Sequence, residues 1–163
     1  MLTQSFTYQL AGISEDAIKP AGKIFERRFG LDVHELRVLR LIGDQPGVNF
    51  TTLAAQTRFE RSATSRILGR LIKAQLARRE IDEDDARQFR LFITPKGQAL
   101  RAQADPLSLE LEELILAALG EQDRASFRAI LDRLSDWLAT DFQAELARRY
   151  PEMAGPRPSR SAG

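Results

Sequence analysis

The stretch that decides the fold runs from Arg61 to Gly97: "RSATSRILGRLIKAQLARREIDEDDARQFRLFITPKG". Its first half places Ile67, Leu68, Leu71, Ile72 and Leu76 at helical spacing, while Arg61, Ser62, Thr64, Ser65 and Arg66 at its front are polar or basic. A helix with a packed back and an open front is expected. Its second half holds two short β-prone runs, "ARREI" and "QFRLFIT", either side of four consecutive acids, Asp82 to Asp85. Phe89, Leu91 and Ile93 alternate with Gln88, Arg90 and Phe92, the period of a strand with one buried face, so the pair reads as a hairpin. "TPKG" then opens another helix, with Thr94 as cap and Pro95 in the first helical position.

Working upstream, "NFTTLAAQT" reads as a short helix capped by Asn49, separated from the first by a brief turn at Arg58–Glu60. "QPGV" is a turn. Asp32 with Glu35 three residues later is a capping pair for a helix burying Leu36, Val38, Leu39 and Ile42 and ending near Gly43. Residues 5–29 form a helix that kinks or restarts at Pro20, since proline has no backbone amide to donate, and Gly30 closes it. Downstream, one helix continues to about Leu119 and a last one spans about 121–149; from Pro151 the chain is Pro-, Ser- and Gly-rich and reads as a disordered tail.

The fold class is therefore mainly α with a small β-hairpin. A winged helix-turn-helix lobe (31–98) lies between an N-terminal dimerisation helix (1–30) and C-terminal dimerisation helices (99–150), followed by the tail (151–163). Dimerisation is expected because the terminal helices carry apolar stripes with nothing left in one chain to cover them. Phe127, Leu131, Leu134, Trp137 and Leu138 are the stripe assigned to a second copy.

Composition narrows the function. The chain of 163 residues has no cysteine and one histidine, which excludes disulfides and thiolate metal sites and leaves no basis for a metal or cofactor. No apolar run spans a bilayer and no signal peptide opens the chain, so a cytoplasmic protein without membrane contact is expected. The total charge of +1 is uneven. From Arg58 to Arg101 eleven Lys/Arg face six Asp/Glu, a surplus of +5, which leaves −4 elsewhere. Such a basic segment suits contact with a polyanion, although many charge runs are only solvated faces. In a helix-turn-helix the front of the second helix meets base edges in the major groove, so Arg61, Ser62, Thr64, Ser65 and Arg66 are the candidate reading residues. Arg70 and Arg90 are further candidate DNA contacts.

Taken together, Leu53-Ala54, Ser62, Ser65-Arg66, Leu71, Leu76, Asp82, Asp85, Arg87, Thr94 and Gly97 resemble the MarR family of bacterial transcription regulators. By motif the resemblance covers residues 30–101; by element order it covers 5–149. Arg58 and Gln75 depart from it, standing where the family has glycine, and Ala86 replaces a frequent arginine. The resemblance implies a homodimer on a near-palindromic double-stranded operator, acting as a repressor relieved by a small aromatic carboxylate. It also explains the acidic run: at the wing tip Asp85 holds Arg87, which enters the minor groove. Effectors of the family bind near the second helix, which nominates His34, Arg37 and Arg40. An effector-independent activator or nucleoid-type protein is the alternative among DNA binders. An enzyme has little support, there being no Ser-His-Asp or Cys-His set and no glycine-rich phosphate loop.

Overall fold

The computed structural model describes residues 4–82 and 88–153. Two compact units divide at Ile115/Leu116. The expected boundaries at 30 and 98 thus follow role rather than compactness, because the N-terminal helix and most of the long helix after the wing pack with the DNA-binding lobe.

In the first unit α1 (Phe6–Phe29) starts at Ser5, whose Oγ accepts from the Tyr8 amide, and closes at Gly30 in the left-handed conformation. It runs through Pro20 as one helix rather than restarting there. α2 (Val33–Asp44) begins with a capping box: the Asp32 carboxylate accepts from the Glu35 amide at 2.7 Å, and Glu35 accepts from the Asp32 amide at 2.9 Å. Asn49 caps α3 (Phe50–Thr57), and α4 (Arg61–Lys73) follows after a three-residue turn. β2 (Ala77–Ile81) and β3 (Phe89–Ile93) form the hairpin, and α5 (Pro95–Ile115) leads out of it.

The sheet has a third strand that the alternation pattern does not reveal. β1 (Val48–Asn49) pairs antiparallel with β3, Val48 opposite Leu91, giving the order β1-β3-β2. Two residues are too few to show a period. Between β2 and β3 the register sets Ala77 opposite Ile93, Arg79 opposite Leu91 and Ile81 opposite Phe89. Arg79, Leu91 and Phe89 therefore share one face, and Arg78 and Phe92 share the other.

One apolar core lies under α2, α3 and α4 and the sheet, built from Val38, Leu39, Ile42, Leu53, Leu71 and Leu91 among others. A second joins Phe25 of α1 and Leu36 of α2 to Ala104 and Leu107 of α5. The two meet at Leu100, which packs against both. They hold the helix-turn-helix against a scaffold formed by α1 and α5.

Arg58 and Gln75, at the two positions where the resemblance leads one to expect glycine, have φ of 58° and 60°. The left-handed geometry is retained without the residue that adopts it most cheaply.

In the second unit a 3-10 turn (Leu116–Ala118) precedes α6 (Glu121–Thr140) and α7 (Phe142–Arg149). The helix expected to reach Leu119 stops at Ile115, and the expected single last helix is interrupted at Asp141, where the Trp137 and Phe142 rings lie 5.1 Å apart. Glu145 in α7 is held at a pKa of about 2 by hydrogen bonds from Arg148 and then Arg149. Its folded value lies below the ordinary 4.5, so whatever stability it lends is present above that value and is lost as pH falls towards 2.

Gly97 gives the sharpest test of the wing's attachment. A Cβ there would lie 2.1 Å from the Leu76 carbonyl oxygen and 2.9 Å from Ile93 Cγ1. Gly97→Ala is expected to cost about 2–3 kcal/mol, the range for forcing an extra group into a filled site. The shift of the urea midpoint measures it.

Candidate nucleic-acid interface

The presented surface begins with the turn between α3 and α4. Thr57 Oγ1 donates to the Ala54 carbonyl at 3.0 Å and accepts from the Phe59 amide, and it lies 3.0 Å from Thr64 Oγ1. Thr64 Oγ1 also reaches the Glu60 carbonyl. Both threonines are wholly buried. This pair of hydroxyls, satisfied by each other, by local carbonyls and by the Phe59 amide, fixes the first turn of α4 against the end of α3.

That arrangement corrects one expected contact. Thr64 does not face outward: it lies on the buried stripe with Ile67 and Leu71, three and seven residues on. The solvent face of α4 is Arg61, Ser62, Ser65, Arg66, Gly69 and Arg70, the i, i+4, i+8 rows of one side of the helix. Four of the five expected reading residues, Arg61, Ser62, Ser65 and Arg66, are thus brought onto one open surface.

Arg70 shares this face but is already engaged. Its Nε lies 2.7 Å from Glu35 Oε1, while the other oxygen of that carboxylate caps α2. Glu35 is nearly buried whereas Arg70 remains mostly exposed. The ion pair fixes how far α4 turns about its axis relative to α2.

In the wing, Arg90 Nε lies 2.7 Å from Asp82 Oδ2. An acid of the run does hold an arginine, one not matched to it by the sequence reading. Asp85 and Arg87 lie outside the described residues. On the other strand Arg78 pairs with Glu80 and lies over Phe92, and Arg79 lies over Phe89 at 5.0 Å. Arg61 of α4 lies over Phe50 at 4.8 Å. The sequence reading did not single out Arg79, Phe89 or Phe50. The signal for the wing pair is the strand register, which makes Phe89 the diagonal neighbour of Arg79.

The expected effector residues separate into two places. His34 meets Phe59 edge-on at 4.8 Å, and the Arg37 guanidinium lies 5.3 Å from the same ring. His34 Nδ1 is buried and, among the described residues, meets no hydrogen-bond partner. His34 also borders two hollows against α1, of about 550 and 320 Å³, rimmed by Ile18 and Lys19. Arg40 turns instead to α5, 2.7 Å from Asp105 and 2.6 Å from Ser108, and lines a separate cavity of about 160 Å³. The three do not form one cluster: Arg37, three positions on, shares Phe59 with His34, whereas Arg40, six positions on, lies roughly a third of a turn round α2 and meets α5.

Among the described residues no helix is long and apolar enough to cross a membrane, and no group of three metal-ligating side chains is present.

A sequence model of the MarR family matches residues 29–88, the helix-turn-helix and the first part of the wing. Over this lobe the chain is similar to the MarR family. It is 26% identical over 97 residues to the transcriptional regulator HosA of Escherichia coli, covering 60% of this chain and 72% of HosA. Among solved structures, the Staphylococcus aureus MepR–DNA complex superposes at a TM-score of 0.72 with 20% identity, covering 81% of this chain and 97% of that one. Bordetella bronchiseptica BpsR, described with 6-hydroxynicotinic acid regulating its DNA binding, gives 0.73 with 19% identity, covering 83% and 96%. At these identities the structural likeness shows the winged-helix fold, and the matching family and curated relatives are transcription regulators.

The burial of Thr64 separates fold from recognition in this lobe. Thr64→Val leaves Thr57 without its hydroxyl partner and should cost about 1–2 kcal/mol of stability. The preference among operator sequences should not change. Ser65→Ala should leave the thermal midpoint in place and alter DNA affinity. Melting curves and operator titrations on the two variants check the contrast.

Proposed function

We propose that this chain is a MarR-family regulator, a homodimeric repressor that leaves its operator when a small aromatic acid binds. The observation that carries the DNA-contact assignment is the open row of Arg61, Ser62, Ser65 and Arg66 on α4 beside an arginine-rich wing. An α-helix fits the major groove, where arginine pairs bidentately with guanine and hydroxyls meet bases or phosphates. Arg70 and Arg90 add positive charge at its edges, each oriented by a carboxylate. Asp85 and Arg87 complete the wing tip in this reading, the carboxylate ordering the guanidinium for the minor groove.

Homodimerisation is supported by the face of α6. Phe127, Trp137 and Leu138 are 37%, 43% and 43% exposed in the single chain, with Leu131 and Leu134 half-buried between them. A second copy covers such a stripe by two-fold symmetry and sets two recognition helices about 34 Å apart, one turn of DNA.

The effector reading rests on His34. A buried, unpartnered imidazole nitrogen beside a hollow suits a ligand group that can donate or accept a hydrogen bond, and Arg37 supplies a nearby positive charge for a carboxylate. BpsR, a chain of the same fold whose DNA binding is regulated by 6-hydroxynicotinic acid, supports the choice of an aromatic carboxylate as the ligand class. Arg40 has no part in it, being paired with Asp105.

Two experiments test the proposal. Footprinting on the DNA upstream of the gene should give two protected half-sites centred about one turn apart. On that site Arg66→Ala should lose about 1–3 kcal/mol and relax preference at one position per half-site. Asp85→Ala should weaken binding. Simple charge removal beside DNA would tighten it, so tighter binding would refute the wing assignment. For the effector, 6-hydroxynicotinate or a salicylate should raise the thermal midpoint and weaken operator binding together, and His34→Ala should abolish both effects. Stabilisation with unchanged operator affinity would count against the coupling.

A further inference from the structure

The arginines of the DNA-binding lobe are restrained in two different ways. Arg70, Arg78 and Arg90 are paired with Glu35, Glu80 and Asp82, Arg78 lying over Phe92 as well, so much of their charge is already answered within the protein. Arg61 and Arg79 lie on phenyl rings instead, over Phe50 at 4.8 Å and over Phe89 at 5.0 Å. Among the described residues neither forms an ion pair. A ring occupies the flat face of a guanidinium and restricts the side chain, but leaves the charge and the N–H edge for another partner. A carboxylate would restrict it equally and also compete with whatever anion arrives.

Phe50 and Phe89 line a single cleft of about 340 Å³ between α4 and the wing, with Ser65 and Gly69 on the α4 side and Arg79 at the wing side. Phe89 is 42% exposed there, an apolar ring facing solvent on a strand that buries little else at that end. With α4 in a major groove and the wing in the adjoining minor groove, the sugar–phosphate strand dividing the grooves passes over this cleft.

We propose that Phe50 and Phe89 are positioning residues that hold Arg61 and Arg79 over the cleft, with their N–H edges presented to the phosphates of that strand. The proposal rests on the DNA-binding function of the lobe and adds Arg79 to its DNA contacts. Arg61 becomes a clamp on the backbone rather than a reader of bases. Both contacts serve register and affinity without discriminating sequence.

The test is a salt series of binding isotherms on two duplexes of equal length, the DNA upstream of the gene and a scrambled version. Arg79→Ala should weaken both by similar factors and reduce the slope of log K against log salt by about 0.9, the value for one phosphate contact. Phe89→Leu should weaken binding about two- to fivefold with the slope unchanged, the fold-change that corresponds to one exposed cation–π contact. Phe89→Tyr keeps the ring and should bind as wild type. In an Arg79→Ala background, Phe89→Leu should have no further effect. Arg61 and Phe50 should behave as a second such pair. Arg79→Lys keeps the charge and loses the flat stack, so it should retain the slope and lose affinity; this arm decides the matter should Phe89→Leu prove unstable. The proposal is overturned if Arg79→Ala matches wild type in affinity and slope, if Arg79→Lys binds as wild type, or if the Phe89→Leu loss persists undiminished without Arg79. A wild-type chain that binds neither duplex would count against the DNA-binding reading itself, and is distinct from each of those results.

Discussion

Four elements of the DNA-binding lobe meet at the backbone of Leu76. Its amide donates to the Leu71 carbonyl at the end of α4, and its side chain is buried in the lobe core. Its carbonyl accepts from the Thr94 amide at 3.0 Å and from the Thr94 hydroxyl at 3.2 Å, where β3 passes into α5. Gly97 then lies so close to that oxygen that no side chain fits between them. The recognition helix, both strands of the wing and the helix leaving the lobe are thus tied to one residue. Lys96, donating to the Ala74 carbonyl at 2.8 Å, reinforces the same junction. Together with the bond from the Thr94 hydroxyl to the Gln75 carbonyl at 2.7 Å, these contacts set the spacing between α4 and the wing.

The way arginines are distributed around this junction accounts for an otherwise odd composition. A segment with a surplus of +5 between Arg58 and Arg101 could be a diffuse basic surface. Instead Glu35, Glu80, Asp82, Asp105 and Asp44 each engage a particular guanidinium, those of Arg70, Arg78, Arg90, Arg40 and Arg101. Carboxylates hold some arginines where shape and orientation matter, and rings hold others where the positive charge must stay available. The acidic residues near the wing are consistent with a basic interface, because a guanidinium aimed in one direction serves recognition better than a mobile one.

Much of this architecture was legible in the sequence. The apolar rows of α2 and α4, the capping box of Asp32 and Glu35, the hairpin and the start of α5 follow from periodicity and local hydrogen-bonding chemistry, which neighbouring residues carry in full. What escaped reading depends on partners remote in sequence. β1 is two residues long and is a strand only because β3 lies beside it. Thr64 looked like a reading residue by its hydroxyl, although its spacing from Ile67 and Leu71 placed it on the packed side; chemistry was weighed there above geometry. The stack of Arg79 on Phe89 needs the exact pairing of β2 with β3, and that of Arg61 on Phe50 needs the bend of the turn at Arg58. The interruption at Asp141 carries no proline or glycine, the residues that ordinarily advertise a break.

The pairing of Glu35 with Arg70 has a bearing on how salt acts on this protein. One partner is almost enclosed and the other is largely in solvent, so mobile ions reach the arginine far more easily than the carboxylate. Raising ionic strength therefore does two things at once. It replaces protein charges around the duplex with counterions, and it loosens the tether that sets the rotation of α4 against α2. The carboxylate keeps its hold on the start of α2 throughout, since its other oxygen caps that helix from within the fold. The body of the lobe stays assembled, with Thr64, Ile67 and Leu71 holding α4 in place, while the Arg70 side chain is freed from its carboxylate. Sequence discrimination and overall affinity should consequently decline along separate curves as salt increases.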